Sequence, residues 1–184
     1  MKNQANNQRG RVIVLDTSAF LAGCDPFSLS EEQVTVPKVE EEIRRNSIIC
    51  TRLRTAIESG KLKVKVPRPE FLNNVKVLAS ELGDSYLLSE ADIQLLALAL
   101  EFKTEGYTPQ IVTDDYSIQN VATLMDIEFS ALATFGIKRL LEWTRYCPAC
   151  HKEYPANFSS KECLVCGTQL KRKPRRTVKN VKAR

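Results

Sequence analysis

The sequence has a single histidine, a single tryptophan and two methionines. No apolar run in it approaches the roughly 18 residues that a membrane-spanning helix needs, and its polar start, MKNQANNQRGR, lacks the apolar stretch of a signal peptide. Hydrophobic residues make up 43% and charged residues 27%, which excludes collagen-like, wholly disordered and disulfide-scaffold proteins. The 184 residues suit one domain with a small appendage, and we expect a soluble, cytoplasmic protein.

The net charge of +5 is unevenly distributed along the chain. Residues 171–184 carry eight basic side chains and no acidic one, whereas residues 12–170 hold 16 basic against 22 acidic side chains. An acidic body with a basic tail indicates a polyanionic partner that is held partly by the tail.

Four of the six cysteines lie in two CxxC pairs with twelve residues between them. This spacing is typical of a zinc ribbon, because two thiolates from each tight turn can reach one tetrahedral ion. We therefore predict a structural zinc site with the ligands Cys147, Cys150, Cys163 and Cys166. His151 could compete as a ligand, but four cysteines already close the site, and the isolated Cys24 and Cys50 are interpreted as small apolar residues.

Short apolar runs that alternate with helical patterns predict an α/β fold with a mainly parallel sheet. The predicted strands are Val12–Leu15, Val34–Val36, Val64–Val66, Ile111–Thr113 and Asp126–Phe129. One helix is predicted from Pro37 to Gly60, a second, buried helix begins near Ser89, and residues 67–76 are predicted to be a basic loop. The expected divisions are a flexible N-terminus at 1–10, a main domain at 11–133, a connector at 134–145, the zinc ribbon at 146–170 and a disordered basic tail at 171–184.

Carboxylates follow two of the buried strands: Asp16 ends the first, and Asp114 with Asp115 ends the fourth. Ligands of parallel sheets bind beyond the carboxyl ends of the strands, so these side chains should share one edge with Asp92 at the start of a buried helix. Glu42 flanks the apolar stripe of its helix at 100° per residue and is the member of the Glu triplet that could join them.

Such a cluster of carboxylates needs cations or raised pKa values, because its members repel each other. Ligation by oxygen atoms alone suits Mg²⁺ or Mn²⁺, and cations held in this way can activate water and stabilise the leaving oxygen of a phosphodiester. Metal-dependent hydrolysis of a nucleic acid is the hypothesis that follows.

Each of these residues also has a structural interpretation. Asp92 and Asp115 could each cap a helix, and Glu42 could be a solvated charge. Thr17 and Ser18 could orient water or phosphate, or could only form a local turn. Asp16 is harder to explain in this way, because a carboxylate that ends a buried strand needs a partner.

Four segments resemble the signature segments of PIN-domain ribonucleases, in the expected order. They are VIVLDTSAF at 12–20, VPKVEEEIR at 36–44, LSEADIQLLALA at 88–99 and IVTDDYSIQNVA at 111–122. The resemblance implies a PIN-like parallel sheet flanked by helices. It also implies that Asp16, Glu42, Asp92 and Asp114 are the metal-binding acids for Mg²⁺ or Mn²⁺, with Asp115 as the alternative to Asp114.

The four-cysteine ribbon narrows the resemblance to the endonucleases that mature the 3′ end of small-subunit rRNA. That likeness implies cleavage of RNA in pre-ribosomal particles. A PIN-type toxin ribonuclease acting on tRNA or mRNA is less favoured, because such toxins are usually the bare domain. A non-catalytic RNA-binding assembly factor is less favoured because all four acids are present.

Aromatic and basic residues surround the first cysteine pair: Trp143, Tyr146, Lys152 and Tyr154. They could stack on unpaired bases and hold phosphates, or they could form a small core around zinc. The basic tail would add salt-sensitive affinity for RNA.

Overall fold

A parallel sheet forms the centre of the protein in a computed structural model that describes residues 9–44, 47–82, 88–132 and 142–175. Its five strands lie in the order β3-β2-β1-β4-β5, and all four neighbouring pairs are parallel. The strands are β1 (Arg11–Leu15), β2 (Glu32–Thr35), β3 (Leu62–Val64), β4 (Thr108–Val112) and β5 (Glu128–Ser130).

Helices connect these strands, as parallel pairing requires. They are α1 (Thr17–Leu21), α2 (Pro37–Ile43), α3 (Ser47–Glu58), α4 (Pro69–Leu82), α5 (Glu90–Thr104) and α6 (Tyr116–Leu124), with a short 3₁₀ turn at Pro26–Ser28. In the described ranges, no helix has the combination of length and apolarity that crossing a bilayer demands.

The core lies between the sheet and its helices. Residues 12–15 of β1 are fully buried, as a strand covered on both faces should be. Helix α5 is buried from Leu95 to Ala99 because it is apolar on nearly every side. The α/β fold and the PIN-like parallel sheet that the sequence predicted are therefore confirmed.

The strand order places a switch point between β1 and β4. The chain leaves β1 toward β2 on one side of the sheet, whereas β4 pairs with β1 on the other side. A crevice opens at the carboxyl ends of two strands where the connections diverge in this way. Asp16 follows β1 at that edge, and Thr113, Asp114 and Asp115 follow β4 there.

Several predicted boundaries differ from the structure. The prediction of a loop at 67–76 is wrong, because α4 begins at Pro69, where the missing N–H of proline has no cost. Phe71, Val75 and Ala79 are buried at four-residue intervals and hold this helix on the core. The single helix predicted from Pro37 to Gly60 is described as α2 and α3, and β3 lies two residues earlier than predicted.

A second, antiparallel sheet follows residues 133–141, a stretch outside the described residues that includes most of the predicted connector. In this sheet β6 (Glu142–Tyr146) lies between β7 (Glu153–Tyr154) and β8 (Lys171–Arg175). The first five residues of the predicted disordered tail therefore form a strand, because pairing with β6 supplies their backbone hydrogen bonds. The rest of that tail, and most of the predicted flexible N-terminus, lie outside the described residues.

Candidate active site and metal centre

Asp16 is the acid at the centre of the sheet edge, and only 6% of it is exposed to solvent. It caps α1, and its Oδ1 accepts a hydrogen bond from the Thr17 N–H at 2.7 Å. Its Oδ2 accepts hydrogen bonds from the Ser18 hydroxyl at 2.6 Å and from the Thr113 hydroxyl at 2.8 Å. The carboxylate is thus held in one orientation by donors from two different strand ends.

The same two hydroxyls connect Asp16 to the end of β4. Ser18 Oγ accepts a hydrogen bond from the Asp114 N–H at 3.0 Å, and Thr113 Oγ1 accepts one from the Asp115 N–H at 3.1 Å. The backbone N–H of each acid after β4 is therefore connected to the Asp16 carboxylate through a single hydroxyl group. The sequence indicated a possible role for Ser18, but it did not identify Thr113, whose only sequence signal is a hydroxyl residue that ends a buried strand.

The two acids after β4 have different surroundings. Asp115 is exposed and caps α6, since its Oδ1 accepts a hydrogen bond from the Ser117 N–H at 2.6 Å. Asp114 is half-buried, and its Oδ1 accepts a hydrogen bond from the Leu132 N–H at 3.1 Å. The structural alternative for Asp115, a helix cap, is confirmed, which leaves Asp114 as the better candidate for a ligand.

Asp92 forms a capping box with Ser89 at the start of α5. The Ser89 N–H donates a hydrogen bond to Asp92 Oδ2 at 2.7 Å, and the Asp92 N–H donates one to Ser89 Oγ at 3.2 Å. Burial raises the pKa of Asp92 despite these bonds, and the negative charges of Asp16 and Asp115 raise it further. Asp92 is therefore a cap and also part of the same electrostatic cluster.

Glu42 lies at the rim of this cluster and is exposed. Its Oε2 accepts a hydrogen bond from the Thr17 hydroxyl at 2.6 Å, which connects α2 to the start of α1 beside Asp16. Lys38 fixes the same helix to α5, because its Nζ lies 3.1 Å from Glu90 and 3.2 Å from Glu41. The structure thus brings Glu42 to the edge of the cluster rather than into its interior.

The donor set of this edge fits a hard, partly hydrated cation. Burial raises the pKa of Asp16 against four opposing hydrogen bonds, so a nearby positive charge would be favourable. Among the residues that the structure describes, no three carboxylates have oxygen atoms within 4.8 Å of one another. Such an open arrangement of oxygens suits Mg²⁺, which binds one or two carboxylates and retains several waters.

Divalent cations should raise the melting temperature of the protein, and by more at pH 7 than at pH 4. Folding raises the pKa of Asp16 and Asp92 above the usual 3.8, so their contribution to stability is fully present below that pH. It is lost as the pH rises through the folded-state values, and a bound cation would offset this loss. We expect a gain of roughly 5 °C at saturating Mg²⁺ and pH 7 in thermal melts.

Asp126→Asn is the control for this measurement, because Asp126 is an acid whose side chain is fully exposed and pairs with Lys103 rather than with the cluster. This variant should keep the full gain. If millimolar Mg²⁺ left the wild-type melting temperature unchanged, the carboxylates would not share a cation site.

The four paired cysteines form a compact group in the second sheet, and their sulfur atoms all lie within 4.8 Å of one another. The Sγ atoms of Cys147 and Cys166 are 3.4 Å apart, as are those of Cys150 and Cys163. A tetrahedral zinc ion with Zn–S bonds of about 2.3 Å requires sulfur separations of about 3.8 Å, so the donors fit this metal.

The two cysteine turns have the same backbone geometry. The N–H of His151 donates to the carbonyl of Cys147, and the N–H of Gly167 donates to the carbonyl of Cys163, both at 2.9 Å. Both donors have left-handed backbones, with φ of 60° at His151 and 70° at Gly167. His151 therefore occupies the position in the first cysteine turn that Gly167 occupies in the second. Its side chain is not part of the group of four sulfur ligands.

Tyr154 packs against the cysteine group in the core of the second sheet. Its ring is buried, and its hydroxyl lies 3.1 Å from Cys163 Sγ while accepting a hydrogen bond from the Leu164 N–H at 3.1 Å. Hydrogen bonds to the sulfur, first of all the one from Tyr154, lower the pKa of Cys163 to about 6 although burial opposes them. A thiolate at neutral pH is the form that binds zinc, so Tyr154 belongs to the small core rather than to an exposed stacking surface.

Trp143 and Tyr146 on β6 remain partly exposed, and a cation from β8 lies over each ring. The Arg172 guanidinium is 4.6 Å from the centroid of Trp143, and Lys173 Nζ is 5.3 Å from that of Tyr146. Side chains alternate along a strand, so the two pairs lie on opposite faces of the sheet. Each face thus combines an aromatic ring with a positive charge.

Comparison with known proteins finds relatives of the main domain and of nearly the whole chain. The sequence profile of the family described as PIN domain of ribonuclease matches residues 13–102. Endoribonuclease Nob1 of Methanothermobacter thermautotrophicus is 37% identical over 165 residues, which are 89% of this chain and 93% of that protein. Endoribonuclease Nob1 of Pyrococcus abyssi is 39% identical over 165 residues, which are 89% of this chain and 94% of that protein.

A eukaryotic relative matches a shorter stretch. The 20S-pre-rRNA D-site endonuclease nob1 of Schizosaccharomyces pombe is 34% identical over 94 residues, which are 50% of this chain and 24% of that protein.

Proposed function

Because this chain belongs to the Nob1 endoribonuclease family, we propose that it cuts precursor small-subunit (16S-type) rRNA at its mature 3′ end during ribosome biogenesis. The chain is an endoribonuclease with a PIN domain. The observation that carries the proposal is the buried Asp16 carboxylate, which hydroxyl groups hold at the edge where Asp92 and Asp114 also lie.

Asp16, Asp92 and Asp114 would hold Mg²⁺ or Mn²⁺, with Glu42 and Asp115 at the rim. A divalent cation bound there would lower the pKa of water and stabilise the charge that develops on the phosphodiester. The ribbon cysteines Cys147, Cys150, Cys163 and Cys166 would hold a structural Zn²⁺.

The side chains around the acids would fix their geometry before RNA binds. Ser18 and Thr113 both donate to Asp16 Oδ2, so this oxygen cannot rotate away from the sheet edge. Thr17 donates to Glu42 and keeps that carboxylate beside the same edge. Positioning of this kind supplies a large part of the rate enhancement in phosphoryl transfer.

Hydrolysis by water determines the ends of the products. A water oxygen bonds to phosphorus, and the bond from phosphorus to the 3′ oxygen breaks. The upstream fragment, the mature rRNA, would then end in a 3′ hydroxyl, and the downstream fragment would keep the phosphate.

The ribbon sheet would bind unpaired RNA beside the cut site. Trp143 with Arg172 combines a stacking surface with a positive charge, and so does Tyr146 with Lys173, whose pairing with Glu153 a phosphate would replace. Each stacked base contributes about 1–3 kcal/mol to binding. The substrate would be RNA within pre-ribosomal particles in the cytoplasm.

One experiment tests the substrate directly. The full chain is incubated with Mn²⁺ and an RNA that spans the mature 3′ end of 16S rRNA, and in parallel with tRNA and an unrelated messenger RNA. We expect one dominant cut in the rRNA fragment and an upstream product that ligates to a 5′-phosphorylated adaptor, because it carries a 3′ hydroxyl.

Two other results would contradict the proposal. Equal cutting of tRNA and messenger RNA would favour a toxin-like ribonuclease. Tight binding of the rRNA fragment without any cutting would favour a non-catalytic assembly factor.

A further inference from the structure

The strongest concentration of positive charge within the main domain lies in a segment that contains none of the candidate metal-binding carboxylates. Residues 44–76 contain nine basic and two acidic side chains, a net charge of +7, whereas the rest of the chain sums to −2. The described part of this segment contains α3, β3 and the start of α4. Strand β3 is an edge strand, so the segment forms one end of the sheet.

Helix α3 presents two arginines to solvent. Leu53 and Ala56 are buried and pack this helix on the core. Arg52 and Arg54 lie about 100° to either side of Leu53 and are both exposed. Thr51 and Thr55, also exposed, lie on the outward surface between them. We call this outward surface, together with Lys61 and Lys63, the α3–β3 face.

The charges on the α3–β3 face are only partly compensated. Lys63 pairs with Glu32 of β2 at 3.0 Å, and its side chain still exposes 55% of its surface. Within the described part of the chain, Arg52, Arg54 and Lys61 form no ion pair. By contrast, the flanking Arg44 and Arg68 are paired with glutamates at 2.7 and 2.8 Å. Four described cations of this segment therefore form no ion pair: three lie on α3 and on the turn that leads to β3, and the fourth, Lys76, lies on α4.

We propose that the α3–β3 face is a second RNA-binding surface, which holds the phosphate backbone of the precursor rRNA away from the cut site. This inference rests on the proposed function. The edge that would cut RNA is lined with carboxylates, so phosphates flanking the scissile bond must be held by cations elsewhere. Guanidinium groups match phosphate oxygens geometrically and can donate two parallel hydrogen bonds to them.

The test measures RNA binding separately from cleavage. The double variant Arg52→Gln/Arg54→Gln is made in an Asp16→Asn background, and its Kd for the precursor rRNA fragment is measured between 50 and 300 mM salt. Each phosphate contact on single strands contributes about 0.7 to the slope of log K against log salt. We therefore expect the slope to fall by roughly 1.4 and the affinity to fall about tenfold at low salt.

A matched variant, Arg9→Gln/Lys76→Gln, removes two exposed cations that form no ion pair among the described residues and that lie outside the face, and it should leave the slope unchanged. In an otherwise wild-type chain, Arg52→Gln/Arg54→Gln should still cut a short RNA that covers only the cut site at the normal rate. Because both arginines are exposed, circular dichroism should show an unaltered fold.

Three results would overturn the proposal. They are an unchanged slope with unchanged binding to pre-ribosomal particles, an unchanged slope with lost binding to these particles, which would indicate a protein partner, and an equal fall of the slope in the matched variant. The two proposals fail separately. If the chain cuts no RNA but the double variant lowers the slope, the proposed rRNA cleavage is wrong and the RNA-binding surface is supported. If the chain cuts rRNA and the slope is unchanged, only the proposed surface is wrong.

Discussion

An Asp16→Asn variant should bind precursor rRNA as tightly as the wild-type chain and cut it about 10³-fold more slowly or worse. The substitution removes the one buried negative charge at the centre of the cluster. A cation at such a site stabilises the transition state by several kcal/mol, and about 4 kcal/mol corresponds to a factor of roughly 10³ in rate. Single-turnover cleavage of the rRNA fragment at saturating enzyme would measure the effect.

The substitution should not damage the fold. Asparagine is as good an N-cap as aspartate, because its Oδ1 can still accept from the Thr17 N–H, and a neutral amide avoids the desolvation that raises the pKa of Asp16. Its Nδ2 cannot accept the hydrogen bonds that Ser18 and Thr113 donate to Oδ2, so these two hydroxyls must reorient, which offsets part of that gain. The metal-free melting temperature should therefore stay within a few degrees of that of the wild-type chain, and the gain on adding Mg²⁺ should disappear.

Asp25→Asn is the matched control. Asp25 also caps a short helical turn, with its Oδ1 accepting a hydrogen bond from the Phe27 N–H at 3.1 Å, but it is exposed and does not follow a strand of the sheet. The Asp25→Asn variant should cut RNA at the wild-type rate. Cleavage by Asp16→Asn within a few-fold of wild type would show that this carboxylate is not at the reacting centre.

The buried strands and the cysteine cluster could be predicted from the sequence, because each depends on a pattern of a few neighbouring residues. A strand that is buried on both faces has apolar residues at successive positions instead of alternating apolar and polar ones. The apolar run before Asp16 therefore predicts β1, and the run before Asp114 predicts its neighbour β4. The cysteine spacing predicts the sulfur cluster for a similar reason, since each turn is formed within four residues.

Features that depend on contacts distant in sequence were not predicted. The hydrogen bond from Thr113 to Asp16 joins residues 97 positions apart, so no local pattern contains it. The same is true of Tyr154, whose hydroxyl meets Cys163 only after both cysteine turns have formed.

Charge and proline content gave misleading signals at two places. Pro67, Pro69 and nearby basic residues suggested a loop, although the four-residue spacing of Phe71 and Val75 indicates a helix. The basic residues of β8 suggested disorder, but on this edge strand they are compatible with pairing on the β6 side and discourage pairing on the other.

Removal of the metal from the ribbon should unfold the second sheet and leave the first intact. The buried side chains of the described residues fall into two separate clusters, and the ribbon cluster contains only Cys147, Tyr154 and Cys163, packed by Phe158 and Leu170. A core of this size cannot fold a domain, so a zinc ion bound by the four cysteines, with an apparent free energy on the order of 10–16 kcal/mol, would provide most of the stability.

The single tryptophan makes this selective unfolding measurable. Trp143 lies on β6 under Arg172, so its fluorescence reports on the ribbon alone. In Cys163→Ser we expect red-shifted emission and loss of one bound zinc, while the far-ultraviolet melt of the parallel sheet stays near that of the wild-type chain. The affinity for rRNA should fall about tenfold or more, because the faces that carry Trp143 and Tyr146 are lost.

Two further variants separate the metal from the cysteines as such. Cys24→Ser changes a half-buried cysteine outside the group and should retain zinc and native emission. Tyr154→Phe keeps all four sulfurs but removes the hydrogen bond to Cys163, and should weaken zinc binding by about 10–100-fold without abolishing it. Native tryptophan emission in Cys163→Ser would mean that packing alone holds the ribbon together, and the sulfur cluster would then have no structural role.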